Sequence, residues 1–370
     1  MSGQPSAPWE TLVVCVMLLL AAAAAAPRRT SWWREALLVG TLGVSLFSSS
    51  AGLAFVTLAV AALVHALGAK AESRTGAAAL VCAAAVTALA GLAASLGSLT
   101  AAFVLSTAAI ALRAGVLPFH LGAASLCERL PLIQAEQLST MIALVFVHLR
   151  FVDHHAGAAA LGPWLVRYGA AACMTAALMS IVQRDLRGFY RTTNAMHGGM
   201  LMAALGTASL GNFGAALLVA VSMSVALGGL GMMITSLEKR VGAVDYAGPG
   251  GRGPTFPKIA TLFALFGGAG VGLPATSSFV ADDLLLHTLW MQSPVATFTV
   301  ILSSALLAVA TLICLSRVFL GRATPSLAPD LGLGERLVGT ALVLLLVTLG
   351  FVPSLLLGPA EAFLSSAPPG

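Results

Sequence analysis

Apolar stretches of about 20 residues, each long enough to cross a bilayer, recur from one end of this chain to the other. That repetition decides the fold class. A segment in lipid must satisfy its own backbone, so it forms a helix or part of a closed barrel. Barrel strands alternate polar and apolar side chains over shorter runs, and the sequence carries no such alternation. The expected spans are 11–26, 34–49, 51–69, 76–96, 98–117, 134–152, 158–182, 193–209, 212–236, 258–292 (interrupted), 295–316 and 336–357. They describe an all-α polytopic membrane bundle of roughly 11–12 helices. Only 9% of the 370 residues are charged and mean hydropathy is +0.96, against roughly 25% charged residues in a soluble domain, which leaves no room for a soluble domain. The opening "MSGQPSAPWE" has no Lys or Arg ahead of its apolar run, which favours a retained first helix over a cleaved signal.

The net charge of +5 is a topology signal rather than a nucleic-acid footprint, because the basic residues sit in short clusters between apolar runs. Arg28, Arg29 and Arg34 follow the first span, and Lys70 and Arg74 the third. Arg184, Arg187 and Arg191 follow the seventh. Lys239, Arg240, Arg252 and Lys258 follow the ninth, and Arg317 and Arg322 the eleventh. Alternating spans put all of these on one side, expected to be the cytoplasm, with Arg150, Asp153, His154 and His155 on the other. The cysteines Cys15, Cys82, Cys127, Cys173 and Cys314 are scattered without metal-ligand spacing and read as small buried hydrophobes.

Two spans are interrupted. In "ALRAGVLPFHLGAASLCERLPLIQAEQLST" (111–140), Pro118 and Pro131 bracket a short amphipathic piece. In "FGGAGVGLPATSSFVADD" (266–283), glycines, a proline and a Thr-Ser-Ser run precede two acids. Proline removes a helix hydrogen bond. Broken backbone inside a membrane persists only where protein or a watery cavity satisfies it, and paired broken helices mark ion paths in transporters. Ordinary loops are the plainer alternative.

An ionisable group within a span is a functional candidate by default. Arg113 lies in "STAAIALRAGVLPFH", with snorkelling to a helix end as its plain alternative, and His120 follows near the same break. His148 and Arg150 end "MIALVFVHLRF" and read as a solvated helix end. His65 stands alone near a cytoplasmic end and is discounted. His197, in "RTTNAMHGGMLMAALG", is expected about one turn inside its helix, beside Gly198 and Gly199, which permit close packing. Asp282 and Asp283 are the sharpest pair. Adjacent helical residues diverge by about 100°, so the two cannot face one cavity equally. Asp283 and His287, four apart, share a face. The alternative for both acids is to cap the restarting half-helix.

At these residues the sequence resembles a known family. "LRAGVLPFH" looks like the lysine and Pro-x-His run of the antiporter-like subunits of respiratory complex I and of multisubunit sodium/proton antiporters. "PLIQAEQLSTMIALVFVHLRF" occupies the place of the following broken helix. "RDLRGFYRTTNAMHGGMLMAALG" is similar to the family's stretch carrying a relay histidine, and "LGGLGMMITSLEKR" fits the next helix. "GLPATSSFVADDLLL" resembles its Gly-Leu-Pro run ending in a terminal titratable residue. The resemblance covers roughly residues 50–320 and implies a proton pathway through an inverted-repeat bundle. Arg113 stands at the family's buried lysine, His120 at its Pro-x-His histidine, His197 at its relay histidine and Asp282 at its terminal acid or lysine, with Asp283 and His287 alongside. The departures are specific. The early glutamate is missing from "SSSAGLAFVTLAV", where Thr57 is nearest. No titratable group falls at Thr140–Ile142, the expected relay position. Met223 replaces a second histidine, and all three lysines, Lys70, Lys239 and Lys258, fall in predicted loops. Arginine does not deprotonate, so Arg113 can hold a charge but cannot release a proton.

The organisation expected is N-terminal membrane helices over 1–50, an antiporter-like proton-conducting core over 51–320, and a C-terminal loop and last helix over 321–370. The function implied is a membrane subunit of a complex-I-like or antiporter-like complex, in a bacterial cytoplasmic membrane. It moves protons, with sodium as the alternative ion, and is coupled to partner subunits. No redox chemistry, cofactor, metal or nucleic acid is implied. The same resemblance allows a membrane subunit of a proton-driven inorganic-carbon uptake complex. The eroded relay allows a non-conducting anchor.

Overall fold

The computed structural model describes residues 40–46, 48, 50–69, 73–129, 135–153, 156–208, 213–323 and 325–358. The span expected at 11–26 lies outside these residues, as do most of 34–49, Arg28, Arg29, Arg34, Lys70, Pro131, His154 and His155. After a helical stretch at 40–46, the elements run α1 Ala51–Ala69, α2 Arg74–Ser95, α3 Leu99–Ala114, α4 His120–Arg129, α5 Ala135–Phe151, α6 Ala156–Ile181 and α7 Leu186–Ala208. They continue with α8 Phe213–Val241, α9 Arg252–Thr255, α10 Pro257–Ala269, α11 Ser277–Gln292, α12 Pro294–Phe319 and α13 Leu333–Phe351. The fold is an all-helical membrane bundle. Among the described residues five helices, α2, most of α6, α8, α12 and α13, are long and apolar enough to cross a bilayer, and α1, α3, α5 and α10 contain shorter apolar runs.

The helices match the expected spans closely because alanine and leucine dominate them, and both residues lose little on entering a helix. Their ends follow local chemistry. Ser73 caps α2 by accepting the Gly76 amide at 3.0 Å, and Pro294 opens α12, where its missing N–H is no loss. α7 begins seven residues earlier than the expected span, because the Asp185 side chain accepts the Gly188 amide at 2.7 Å and caps the helix there. His197 therefore lies about three turns inside α7 rather than one. α8 extends to Val241, so Lys239 sits in a last helical turn, where it complements the helix dipole, and not in a loop.

α8 is the axis of the bundle. It is buried from Gly214 to Leu237, as expected of a helix apolar on every side. α5, α7, α10, α11 and α13 pack around it, while α1–α3 and the α6–α12 pair lie outside that ring. α6 and α7 approach closely because glycines line their contact: a Cβ on Gly199 would lie 2.7 Å from the Cys173 amide nitrogen, and one on Gly206 2.7 Å from the Gly162 carbonyl oxygen.

Among the described residues the basic loops after α6, α8 and α12 gather at one end, as their spacing predicts. Arg187 makes a bidentate pair with Glu238 and donates to the Cys127 carbonyl at 2.9 Å. Arg240 pairs with Glu335 at 2.8 Å. The Leu186 amide reaches the Val244 carbonyl, and the Gly251 amide that of Leu320. At the opposite end of α5, Arg150 donates to the carbonyls of Leu46 and Ser48 at 3.1 and 2.9 Å.

Candidate functional site

The second predicted interruption is a true break. α10 stops at Ala269, the chain turns through 270–276, and α11 restarts at Ser277 after Thr276. Gly272 has φ +77°, a backbone that suits glycine. Its place is also crowded, since a Cβ there would lie 2.8 Å from Asp282 Oδ2. The Asp282 side chain thus folds back from α11 against the break. It lies in the second turn, too far along to cap the helix. Ser277, on the first turn of α11, receives a 2.9 Å hydrogen bond from Ser222 of α8. The Ser278 hydroxyl is buried without a hydrogen-bond partner among the described residues.

His197 reaches the same break from α7. Its Nδ1 is 2.8 Å from the Thr193 carbonyl oxygen. A carbonyl only accepts, so Nδ1 carries a proton. The ring lies against Gly270, where a Cβ would sit 3.7 Å from its Cε1. His197 and Asp282 therefore flank one short glycine-rich turn, contacting positions two residues apart. Cys173 of α6 packs on α7 beside His197, donating from Sγ to the Met196 carbonyl at 3.3 Å.

The other expected groups are divided. Asp283 and His287 share a face as predicted, but that face is exposed and turned away from the break. Arg113 is buried in the last turn of α3 and donates to the Leu58 carbonyl at 3.2 Å. Where the resemblance would place an acid near Thr57, a backbone carbonyl one residue on receives the guanidinium instead. Thr57 spends its own hydroxyl on the Leu53 and Ala54 carbonyls. The end of α3 rests on the His197 helix: Asn194 donates to the Ala114 carbonyl at 2.8 Å, and Gly198 packs on Ala114 and Val116. His120 opens the separate short helix α4, half-buried, with Nδ1 unpartnered among the described residues. The structure thus links Arg113, His197 and Asp282 through packed elements and leaves Asp283 and His287 outside.

One group of residues went unread as a site. His148 and Asp153, taken as parts of a solvated end, are buried, with side-chain exposures of zero. His148 Nδ1 is 2.7 Å from Ser106 Oγ, and its Nε2 is 3.8 Å from Asp153 Oδ1. Burial pushes the Asp153 carboxyl, in the turn beyond α5, up to about 7.

No family model matches the chain. It is 26% identical over 216 residues to the NADH-quinone oxidoreductase subunit M of Escherichia coli K12, covering 57% of this chain and 42% of that protein. It is 27% identical over 238 residues to the chloroplastic NAD(P)H-quinone oxidoreductase chain 4 of Morus indica, covering 60% and 47%. The chain thus spans less than half the length of these curated relatives. Its fold matches a chain of the Mrp complex from Dietzia sp. DQ12-45-1b with a TM-score of 0.79, at 18% identity, over 97% of this chain and 83% of that one. It also matches a chain of respiratory complex I from Thermus thermophilus with a TM-score of 0.74, at 20% identity, over 96% and 83%.

Proposed function

We propose that this chain, similar in fold and in sequence to antiporter-like membrane subunits, carries protons through the bundle by way of His197 and Asp282, coupled to other subunits of a membrane complex. One observation carries the reading: a histidine and an acid on different helices converge on the same broken turn, at Gly270 and Gly272. Ionisable groups within a membrane bundle are costly and mark ion pathways, and non-helical backbone at that depth belongs beside a cavity or a bound ion. Arg113, which cannot release a proton, acts here as a fixed positive charge. It sits behind the α3 end that packs on α7, biasing where a proton rests. The membrane would be the bacterial inner membrane, and the core would be residues 51–320.

The test is proton flux in proteoliposomes containing the chain with its partner subunits, comparing the wild type with Asp282→Asn and His197→Ala. Loss of flux in either variant, with assembly intact, supports the reading. A wild-type complex that assembles and conducts nothing overturns it and leaves a membrane anchor.

A further inference from the structure

We propose that Ser106, His148 and Asp153 form a second buried proton site, separate from Asp282, in which one proton is shared between the His148 imidazole and the Asp153 carboxylate.

The hydrogen-bond directions are fixed by what each atom can do. Ser106 Oγ lies 2.7 Å from the Ala102 carbonyl oxygen and 3.1 Å from that of Phe103. Carbonyls only accept, so the hydroxyl hydrogen is committed to its own helix, and its lone pair receives a proton from His148 Nδ1 at 2.7 Å. Nδ1 is therefore protonated. The Phe103 ring packs on the imidazole, with centroids 5.0 Å apart. Nε2 then faces Asp153 Oδ1 at 3.8 Å, ion-pair range. Neither Asp153 oxygen receives a hydrogen bond from the described residues. A buried carboxylate without a donor is costly, and so is a buried imidazolium without a counter-charge. One proton between them removes both costs. Held by Asp153, it leaves two neutral groups; held by His148, it leaves an ion pair. The net charge is zero in both forms. Loss of that proton strands a negative charge, and gain of a second strands a positive one, so the pair titrates as a unit.

Among the described residues, the packed elements supply few competing charges. α8 has no titratable side chain between Phe213 and Leu237, and α1 has only His65. α5 itself carries Glu136 at its other end and Arg150, which is turned to the Leu46 and Ser48 carbonyls. α3 carries Arg113, two turns beyond Ser106 on the same face. The site thus lies at the end of α5 opposite the basic loops. Its existence as a proton store is independent of transport, while a role at the outer end of a pathway rests on the function proposed above.

The test reads protonation directly. Protein labelled with 15N-histidine in lipid nanodiscs would be followed by solid-state NMR from about pH 6 to about pH 8, spanning the ordinary imidazole range, with His148→Gln identifying the His148 signals among the seven histidines. The expected result is a His148 that keeps Nδ1 protonated throughout and titrates as an ordinary imidazole only in Asp153→Asn. Ser106→Ala should free Nδ1 and mix the tautomers. A His148 protonated at Nε2 with Nδ1 bare in the wild type, or the same titration in wild type and Asp153→Asn, would overturn the proposal. Proton flux on the same samples reports separately on the Asp282 reading: absent flux with the expected spectrum sinks transport and keeps the store.

Discussion

Asp282 lies against Gly272, ten positions earlier in the chain, so closely that a single added methyl group would meet its carboxylate. The break and the acid are one unit. Gly272→Ala would force an L side chain into a positive φ at a cost of about 1–2 kcal/mol and would also push Asp282 out of place. The expected outcome is a folded protein whose melting temperature falls by a few degrees. Its proton flux should drop further than that loss of stability accounts for, read on the same proteoliposomes.

The two neighbouring acids should part company. Asp282 touches the break, while Asp283 lies on the exposed face with His287. Asp282→Asn is expected to lower flux by about a hundredfold, the scale of a lost proton-transfer group. Asp283→Asn should leave flux through the isolated bundle unchanged, and its effect should appear in co-purification of partner subunits. Equal losses of flux in both variants would contradict the separation.

Arg187 clamps three elements at the basic end: its own α7, Glu238 of α8 and the Cys127 carbonyl of α4. Its removal strands the largely buried Glu238 carboxylate. Arg187→Ala should cost about 2 kcal/mol, measured as a lower unfolding temperature in detergent. Arg187→Ala combined with Glu238→Gln should recover part of that loss, since no unpaired charge remains.

Asp153 sets a pH dependence of known sign. Its folded-state carboxyl is raised to about 7 and shares one proton with His148, whereas an unfolded chain keeps one proton on the same two groups, on the imidazole, up to about pH 6.5. Above that value the folded protein holds a proton that the unfolded chain has released, so stability falls as pH rises through that range. Melting curves stepped across it should show that slope in the wild type and a flatter one in Asp153→Asn.

The helices were readable from the sequence because long apolar runs and their capping residues act locally. The α7 start at Asp185 was readable in principle too, through the Asp185–Gly188 cap, but the apolar pattern alone begins later. Periodicity alone does not choose between Asp282 and Asp283, because it fixes only the angle between them; the resemblance pointed to Asp282, and the path of the 270–276 turn is what brings that acid against the break. His148 was misread for a related reason. Beside Arg150 it looks like a wetted helix end, yet α3 supplies Ser106 and Phe103 from 42 and 45 residues away and covers it. The expected relay position at 140–142 is bare of titratable groups, and the buried histidine of that helix stands two turns further on.

The enclosure of α8 also constrains how the protein is made. This helix is apolar enough to enter lipid by itself, but in the finished bundle its neighbours cover it almost completely. α5 and α7 precede it in the chain, whereas α10, α11 and α13 are synthesised after it. Met232 and Met233 are closed off by Gly339 of α13, which is made well after them. Until α13 arrives, one flank of the central helix lies open to bilayer or chaperone. α13 is therefore a latch on the central helix, and a chain made only as far as α12 would carry that flank bare.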